Sequence, residues 1–532
     1  RSAPFEGEAE IVLLEDGLEV EEYEGLDLTG KVVLTKGDVR RVHHLAVEKG
    51  GAVGLIYDGI KELPGLERRL DNALQYTSFW WYGGERRCFG FVLSPQEGER
   101  LRRSIKRGSV ARVRAKVISR FWDGSLEVVS ALLPGESDEE VVVVAHLCHP
   151  QWSANDNASG SATLLEVART LRRLTLRGRL KEPRRSIRFL LVPELTGTYA
   201  YLAAHEERLP QMIAGLNLDM VGESQELCGS TLVVERLPGS TPAFSGDLLE
   251  RLLEAVAEDV PGYAGAGGYP SFRYGSTPFS GGSDHTILSD PTVGIPSPLL
   301  IQWPDRFYHT SLDTQDKVGP RMLARVGKVA GTYAYFLALA GREEATWLAW
   351  EMLTRFKERL VRLVQEERRA GGELVRKVGR LQNQGILGLR SLRRLADIEL
   401  KGFESELSSF TQRELKNVPR LGNEEVRPTE NEWEEEARRL VPRRLHKGPI
   451  RVTPYLRRLS SEERERWWRL EHRYGNALWY LLPLTLYWAD GERTLHEIVD
   501  LVEMETGKRA AELLVTYCRT LSDLSLLHLL ER

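Results

Sequence analysis

The feature that most constrains this sequence is an apolar run, Val141 to Ala145, that ends in His146 and continues into a short polar loop. A continuous apolar run bounded by polar turn residues is typical of a strand buried on both faces. A helical pattern follows from Ala162, and a strand followed by a helix predicts one unit of a parallel α/β sheet. Ligand-binding groups gather at the carboxyl ends of strands in such sheets. This end carries an imidazole and, ten positions later, the carboxylate of Asp156, so the stretch predicts a site for zinc or a related metal.

Three further apolar runs end near side chains of the same chemical kind. These are Glu194 after 185–192, Asp219 after 215–218 and His309 beyond 298–303. A single carboxylate at such a place is usually a helix cap or a solvated loop residue, and this alternative applies to Asp156 as well. Four strand ends of one parallel sheet meet at one crevice, which favours a common site.

Composition restricts the class of protein. A length of 532 residues predicts several domains, and a formal net charge of −4 provides no basic field that would attract nucleic acid or an anionic membrane. No apolar stretch reaches the roughly 18 residues that cross a bilayer. The four cysteines have no CxxC spacing, which predicts a reducing, cytoplasmic location. The chain begins without Met, so an earlier leader segment is left open.

Residues 1–118 predict short strands between turns. The order LDLTGKVVLTKGDVRRVHHLAVEKGGAVGLIYDG, with FGFVLSPQEGERLRRSIKRGSVARVRAKV after it, resembles the protease-associated (PA) domain. The resemblance implies a β-rich module beside a peptidase that shapes access to it. A generic α/β spacer is the alternative.

Residues 119–345 alternate strands and helices and contain five motifs in a recognisable order. They are AHLCHP…ANDNASGSA, LVPELTGTYAYL, NLDMVG, GGSDHTIL and FYHTSLDTQDKV. This order resembles the M28-type zinc aminopeptidases, and more closely an aminopeptidase-like branch labelled a domain of unknown function. The resemblance implies an α/β fold with a mixed, mostly parallel sheet flanked by helices. It also implies that a peptide is the substrate and that zinc is the cofactor.

The resemblance assigns a role to each matching residue. The implied zinc ligands are His146, Asp156, Asp219 and His309. Glu194 matches the general base that deprotonates the attacking water, and Tyr308 is a candidate donor to the oxyanion, with packing as the alternative. Asp284 and His285 are expected to support the ligands without binding the metal themselves. Glu223 is the candidate to receive the free amine of a peptide.

The chain departs from the family pattern at two places. Where the family has Glu-Glu, this chain has Glu194-Leu195, so a second metal loses a carboxylate. Where the family has His-x-Asp, this chain has His146-Leu147-Cys148, so the carboxylate that orients the imidazole is missing. Cys148 or His149 is expected to fill these gaps; His149 is the better candidate ligand, and a supporting loop residue is the alternative. One tightly held zinc is therefore favoured over a symmetric two-metal centre.

The last third of the chain predicts helices. Residues 346–449 have the mixed-charge helical spacing of a packing or oligomer-forming arm and connector. Residues 450–532 resemble a winged helix, with two short helices and a terminal strand after Asp490-Gly491. The presumed recognition helix, KRAAELLVTYCRTL, has few side chains that could read bases or bind phosphates. A protein partner or a homo-oligomer, formed through the arm or the winged helix, is therefore favoured over nucleic acid.

Three functions fit the sequence, in this order. The first is a zinc-dependent aminopeptidase. The second is an acyl transferase with a single zinc, because the same scaffold also resembles glutaminyl cyclases. The third is a catalytically weakened peptidase fold that binds a protein or DNA.

Overall fold

The computed structural model describes residues 2–63, 65–79, 85–370, 374–417 and 431–532. Its strands in chain order are β1 (Phe5–Leu13), β2 (Val32–Thr35), β3 (Gly54–Tyr57), β4 (Phe89–Val92), β5 (Arg112–Val117), β6 (Val129–Leu133), β7 (Ser137–His146), β8 (Arg185–Val192), β9 (Met212–Asp219), β10 (Thr231–Glu235), β11 (Glu258–Pro261), β12 (Gly268–Pro270), β13 (Tyr274–Thr277), β14 (Leu299–Trp303), β15 (Leu440–Arg444) and β16 (Leu527–Glu531).

Its α-helices in chain order are α1 (Val39–Val42), α2 (Pro95–Lys106), α3 (Gly160–Leu176), α4 (Thr196–Ala204), α5 (Gln225–Cys228), α6 (Phe244–Ala257), α7 (His285–Leu288), α8 (Pro320–Leu339), α9 (Arg342–Ala370), α10 (Leu374–Ser391), α11 (Lys401–Asn417), α12 (Glu432–Arg439), α13 (Ser461–Tyr474), α14 (Leu478–Trp488), α15 (Leu495–Thr506) and α16 (Ala511–Asp523). Short helical segments that are not α-helices also occur, for example at 43–49 and 154–159. None of the described helices is long and apolar enough to cross a lipid bilayer.

A seven-stranded sheet lies at the centre, in the order β13-β10-β14-β9-β7-β8-β6. Strands β14, β9, β7 and β8 are neighbours and run parallel, whereas β6 and β10 pair antiparallel with β8 and β14. The predicted α/β class, with a mixed and mostly parallel sheet flanked by helices, is confirmed. Because the four parallel strands end at the same edge, the residues that follow them are brought together there.

Burial on both faces explains the unbroken apolar run of β7. Val141, Val143 and Ala145 belong to a core that includes side chains of α3, α6 and α8. Val142 and Val144 belong to a second core with side chains of α4 and α7. Alternate residues of a strand point to opposite faces, so only a run that is apolar at every position can occupy this place.

Much of the helical segment 346–449 packs against the first of these cores. Leu348 and Leu360 of α9, Leu389 of α10 and Leu407 of α11 are buried with the sheet residues. The segment's parts 371–373 and 418–430 lie outside the described residues. Helices α9 to α11 of the predicted arm therefore extend the central core, whereas Ala437 of α12 belongs to the carboxy-terminal core, and the proposed domain boundaries stay predictions.

The amino-terminal residues form a five-stranded sheet in the order β4-β3-β2-β1-β5. Strands β1 to β4 run parallel to one another, and β5 pairs antiparallel with β1 at the edge of the sheet. The buried Arg102 of α2 donates to both carboxylate oxygens of Asp58, at 2.7 and 2.8 Å, and so fixes the helix to the sheet. The likeness to a PA domain stays a prediction.

The carboxy-terminal residues form a separate apolar core around α14, α15 and α16, with β15 paired antiparallel to β16. Its likeness to a winged helix stays a prediction. Arg444 forms a buried ion pair with Asp290 of the central region at 2.7 Å, which joins the two parts.

Candidate metal centre

His146 ends β7 and is buried. Its Nδ1 lies 2.9 Å from the carbonyl oxygen of Cys148. A carbonyl only accepts, so Nδ1 donates and Nε2 faces the carboxylates of Asp156 and Asp219, each at 3.2 Å. A backbone carbonyl thus gives the imidazole the orientation that the missing Asp gives in the family pattern.

The charge around His146 favours a cation at its Nε2. Burial alone lowers the pKa of His146, but the carboxylates of Asp219 and Asp156 outweigh it and hold that pKa well above its usual range. A proton on Nε2 then partly balances the two carboxylates. A metal ion in the same position would balance them more completely.

A second pair of imidazoles lies beside the other oxygen of Asp156. His309 Nε2 is 3.0 Å and His149 Nε2 is 3.4 Å from Asp156 Oδ2. The Nδ1 atom of His149 donates to the carbonyl of Gln151 at 2.9 Å, so the buried Nε2 is the atom that faces Asp156. Burial lowers the pKa of His149, but the carboxylate of Asp156 outweighs it and raises that pKa. A cation at Nε2, which is either a proton or a metal ion, therefore suits this position.

These donors form two groups that meet at Asp156. The donor atoms of His146, Glu194 and Asp219 lie within 4.8 Å of one another, and so do those of His149, Asp156 and His309. Imidazoles and carboxylates are the ligands that zinc takes in hydrolytic sites. The residues present therefore fit zinc, and His149 adds a donor to the group that contains Asp156 and His309.

Asp156 is held by the turn in which it lies. The carboxylate of Asp313 accepts hydrogen bonds from the backbone N–H groups of Ala154, Asn155 and Asp156, at 2.7 to 3.2 Å. The Asp156–Asn157 peptide bond is cis. Burial raises the pKa of Asp156, but His146, His149 and His309 lower it well below its usual range, so the side chain is an anion.

Glu194 follows β8 and is fixed by two of the predicted supporting residues. Its N–H donates to the Cys148 thiol sulfur at 3.1 Å. The next N–H, of Leu195, donates to the buried Asp284 carboxylate at 2.8 Å, and Leu195 has a positive φ of 57°. Burial and the carboxylates nearby raise the pKa of Glu194 well above its usual range, which suits a group that accepts and returns a proton.

Tyr308 and His285 are also predicted to belong to the site, and only Tyr308 lies against one of the candidate ligands. The Tyr308 ring stacks on His309 with centroids 3.7 Å apart, and burial raises its pKa, so the phenol keeps its proton and can donate. His285 bonds instead to Glu235 at 2.7 Å. Glu235 also accepts from the N–H groups of Ser280 and Gly281, so His285 braces that turn and contributes no donor to the clusters.

Glu223 does not suit the role of binding a substrate amine. It is 0% exposed and lies with Cys228 and Asp305, not at an open surface. The sequence identified the residue as a loop carboxylate after β9, but it did not show that the loop turns inward.

The amino-terminal module contributes a residue that sequence reasoning missed. The Tyr76 N–H donates to the His309 carbonyl at 2.5 Å, and the ring centroid lies 5.0 Å from that of His309 and 5.2 Å from that of His149. The Gln75 amide also donates to the His309 carbonyl, at 2.8 Å. The module therefore covers one side of the second donor group. No motif around Tyr76 marks it, because its ring partners His149 and His309 lie far along the chain.

The loop between the ligands exposes apolar side chains. Leu147 is 60% exposed and Trp152 is 99% exposed, and both lie within the short segment that carries His149. Such side chains next to polar donors suit contact with the apolar parts of a ligand.

Comparison with known proteins gives one family and a few relatives. Residues 72–231 match the family described as a domain of unknown function, DUF4910. A putative polysaccharide biosynthesis protein with an aminopeptidase-like domain, from Clostridium acetobutylicum, is 28% identical over 197 residues. That match covers 37% of this chain and 39% of the relative, so the chain spans about two fifths of the relative's length.

The solved structures that are similar to part of the chain include zinc aminopeptidases. The zinc aminopeptidase BSAP from Bacillus subtilis has a TM-score of 0.47 and 21% identity, covering 63% of this chain and 76% of that one. A peptidase M28 precursor from Shewanella amazonensis has a TM-score of 0.44 and 20% identity, covering 63% of this chain and 74% of that one. The chain is thus similar, over part of its length, to DUF4910 and to aminopeptidase-like proteins.

Proposed function

We propose that this protein is a zinc-dependent aminopeptidase that removes N-terminal residues from peptides. The observation that carries the proposal is that Asp156 joins two donor groups: it belongs to the group with His149 and His309, and its other oxygen lies 3.2 Å from His146 of the group that contains Glu194. Two metal ions are favoured over the single zinc expected from the sequence, because His149 supplies the ligand that Leu195 lacks. His146 and Asp219 would hold one ion, His149 and His309 the other, and Asp156 both.

The chain's own residues suit the remaining steps of hydrolysis. When bound, zinc polarises a carbonyl group and lowers the pKa of water towards about 7. Glu194 takes the proton of the attacking water and returns it to the leaving amine. Tyr308 donates its phenolic hydrogen to the oxygen that becomes negative in the tetrahedral state. Asp284 and Cys148 keep Glu194 in place through the backbone of its turn.

The substrate class is supported by two observations. The Clostridium acetobutylicum relative is described as having an aminopeptidase-like domain. The exposed Leu147 and Trp152 would border a bound peptide and favour apolar side chains. No carboxylate has been assigned to the free amine, since Glu223 is buried away from the surface.

A substitution at Glu194 tests the proposal. Glu194→Gln removes the base and keeps the shape, so turnover of aminoacyl-p-nitroanilides should fall by about 10²- to 10⁴-fold while zinc stays bound. Inductively coupled plasma analysis measures the zinc. The matched control is Glu182→Gln, an exposed glutamate just before β8, which should leave turnover unchanged. Unchanged turnover in Glu194→Gln would show that Glu194 is not the base.

Product mass separates this reaction from cyclisation. A peptide that begins with Gln should lose a whole residue if the protein is an aminopeptidase. Loss of ammonia alone would indicate glutaminyl-cyclase chemistry. Metal binding with neither product would favour a binding module.

A further inference from the structure

A third group of donors lies beside the candidate metal centre. The donor atoms of Glu223, Cys228 and Asp305 lie within 4.8 Å of one another, and all three side chains are 0% exposed. Glu223 comes from the loop after β9, Cys228 from the end of α5 and Asp305 from the loop after β14. Three separate segments thus bring an acid or a thiol to one buried point.

Within the described part of the chain, the charge of this group has little compensation. Both carboxylate oxygens of Glu223 are buried and form no ion pair and no hydrogen bond to an N–H group there, and their polar neighbours are the Cys228 thiol and the Asp305 carboxyl group. Asp313 adds a further carboxylate nearby, and the charge of Arg68 reaches Asp305. The guanidinium of Arg68, however, bonds to the carbonyls of Lys61, Arg306 and Tyr308. Two buried carboxylates side by side without an ion pair are costly.

The backbone around the group is already fixed. The Gln302 side-chain amide exchanges hydrogen bonds with the backbone N–H and carbonyl of Glu223, at 2.6 and 2.8 Å. Asp305 accepts from the N–H of Phe307 at 2.7 Å. The Cys228 carbonyl accepts from the N–H of Arg306 at 3.1 Å, which holds the cysteine beside Asp305. Donors arranged in advance lose little freedom when a ligand binds.

We propose that Glu223, Cys228 and Asp305 bind a zinc ion whose role is structural. One thiolate and two carboxylates are ligands that zinc accepts, whereas calcium and magnesium prefer oxygen alone. Zinc binding would release the thiol proton of Cys228 and the proton of Glu223 to solvent. This ion would also steady the neighbouring centre, because Asp305 accepts a hydrogen bond from the Asn155 amide at 3.3 Å, next to Asp156.

The alternative to a metal ion is protonation of the group's own side chains. Without a cation, burial and Asp305 raise the pKa of Glu223 to about 10, and burial also raises the pKa of Cys228. The two carboxyl groups would then share a proton, and the thiol would stay neutral. The two states differ in one measurable property, which is a metal–sulfur bond.

Cobalt substitution detects that bond. The purified full chain is stripped with a chelator and reloaded with Co²⁺, and the near-ultraviolet spectrum is recorded. A thiolate-to-cobalt charge-transfer band should appear in the unmodified protein and in Cys148→Ser, and should be absent from Cys228→Ser. Cys148 is the matched control because it is the cysteine beside the candidate metal centre, whereas Cys88 and Cys518 lie in other cores.

Zinc counting gives a second readout. Cys228→Ser should bind about one equivalent less zinc than the unmodified protein, and His309→Ala should lose zinc independently of it. The proposed function fails if substitutions at His146 and His309 leave the zinc content unchanged. The structural site fails separately, if the unmodified protein shows no thiolate band or if Cys228→Ser keeps both the band and the zinc.

A conservative change covers the case in which Cys228→Ser does not fold. Glu223→Gln keeps the shape and removes one charge, so more Co²⁺ should be needed to reach half of the band's intensity. Equal Co²⁺ requirements in Glu223→Gln and the unmodified protein would overturn the assignment, as would loss of the band in Cys148→Ser.

Discussion

At the scale of single residues, His149 is the proposed substitute for a metal ligand that the chain lacks at Leu195. Its Nε2 lies 3.4 Å from Asp156 Oδ2, and its ring lies 5.4 Å from that of His309. The family pattern places a second glutamate at the position of Leu195, which has no donor atom. We therefore propose that an imidazole from the loop after β7 takes the place of a carboxylate from the loop after β8.

Replacing His149 should weaken the second metal position selectively. His149→Ala removes one of the three donors grouped at Asp156 Oδ2, so one of the two ions should dissociate at a chelator concentration at least about tenfold lower. The ion beside His146 and Asp219 should be retained. Chelator titration with a zinc indicator measures both. His472→Ala, an exposed histidine of α13, is the control and should match the unmodified protein. Equal chelator resistance in His149→Ala would exclude His149 as a ligand.

Some residues of the candidate site could be predicted from sequence and others could not. His146 and Asp219 end apolar runs, where periodicity locates strand ends, and Asp156 and His309 lie in the loops that follow such runs. The carbonyl of Cys148 could not be predicted, because every residue has a carbonyl and only the loop conformation directs this one at His146. Whether His149 binds a metal depends on the same loop conformation, which the sequence alone does not report.

At the scale of elements, strands β7 and β8 are joined by an ion pair as well as by their parallel register. The buried Glu140 of β7 accepts from Arg188 of β8 and from Arg208, at 2.5 to 2.7 Å. Burial alone raises the pKa of Glu140, but the two guanidinium groups outweigh it and lower the pKa below its usual value. Folding therefore favours the ionised form of Glu140.

This pair predicts a dependence of stability on pH. Since the pKa of Glu140 is lower in the folded state, its contribution is complete above the unfolded value of about 4.3 and is lost as pH falls through the folded value. Glu140→Gln should cost about 3 kcal/mol at neutral pH and progressively less in acid. Urea unfolding at several pH values measures this difference. Glu136→Gln, an exposed glutamate just before β7, should show a far smaller change. A cost that stays constant into acid would contradict the ion pair.

The segment around Tyr76 is a second element with a testable role. Its ring lies against His149 and His309, so Tyr76→Ala would open one side of the centre. If the protein is an aminopeptidase, KM for peptides should rise by about tenfold, with a smaller change in kcat. Tyr76→Phe keeps the ring and should restore most of the affinity. Tyr263→Ala, a fully exposed tyrosine, is the control. An unchanged KM in Tyr76→Ala would remove the amino-terminal module from substrate binding.

At the scale of the whole molecule, the sequence predicted the layers better than their contacts. Unbroken apolar runs and helical spacing indicated the parallel strands and their flanking helices, because a strand that is buried on both faces is apolar at every position. The contact of Tyr76 with His309 and the packing of α9 on the central core leave no such local pattern. They depend on how distant segments fold back, which periodicity does not report.

The central claim is that imidazoles and carboxylates from separate strand ends hold two zinc ions around Asp156. Anomalous diffraction at the zinc absorption edge, on crystals grown with zinc, tests it most directly. Two peaks should appear on either side of Asp156, one beside His146 and Asp219 and the other beside His149 and His309. A map with no peak within reach of the Asp156 carboxylate would contradict the claim, and a single peak there would contradict the two-metal arrangement.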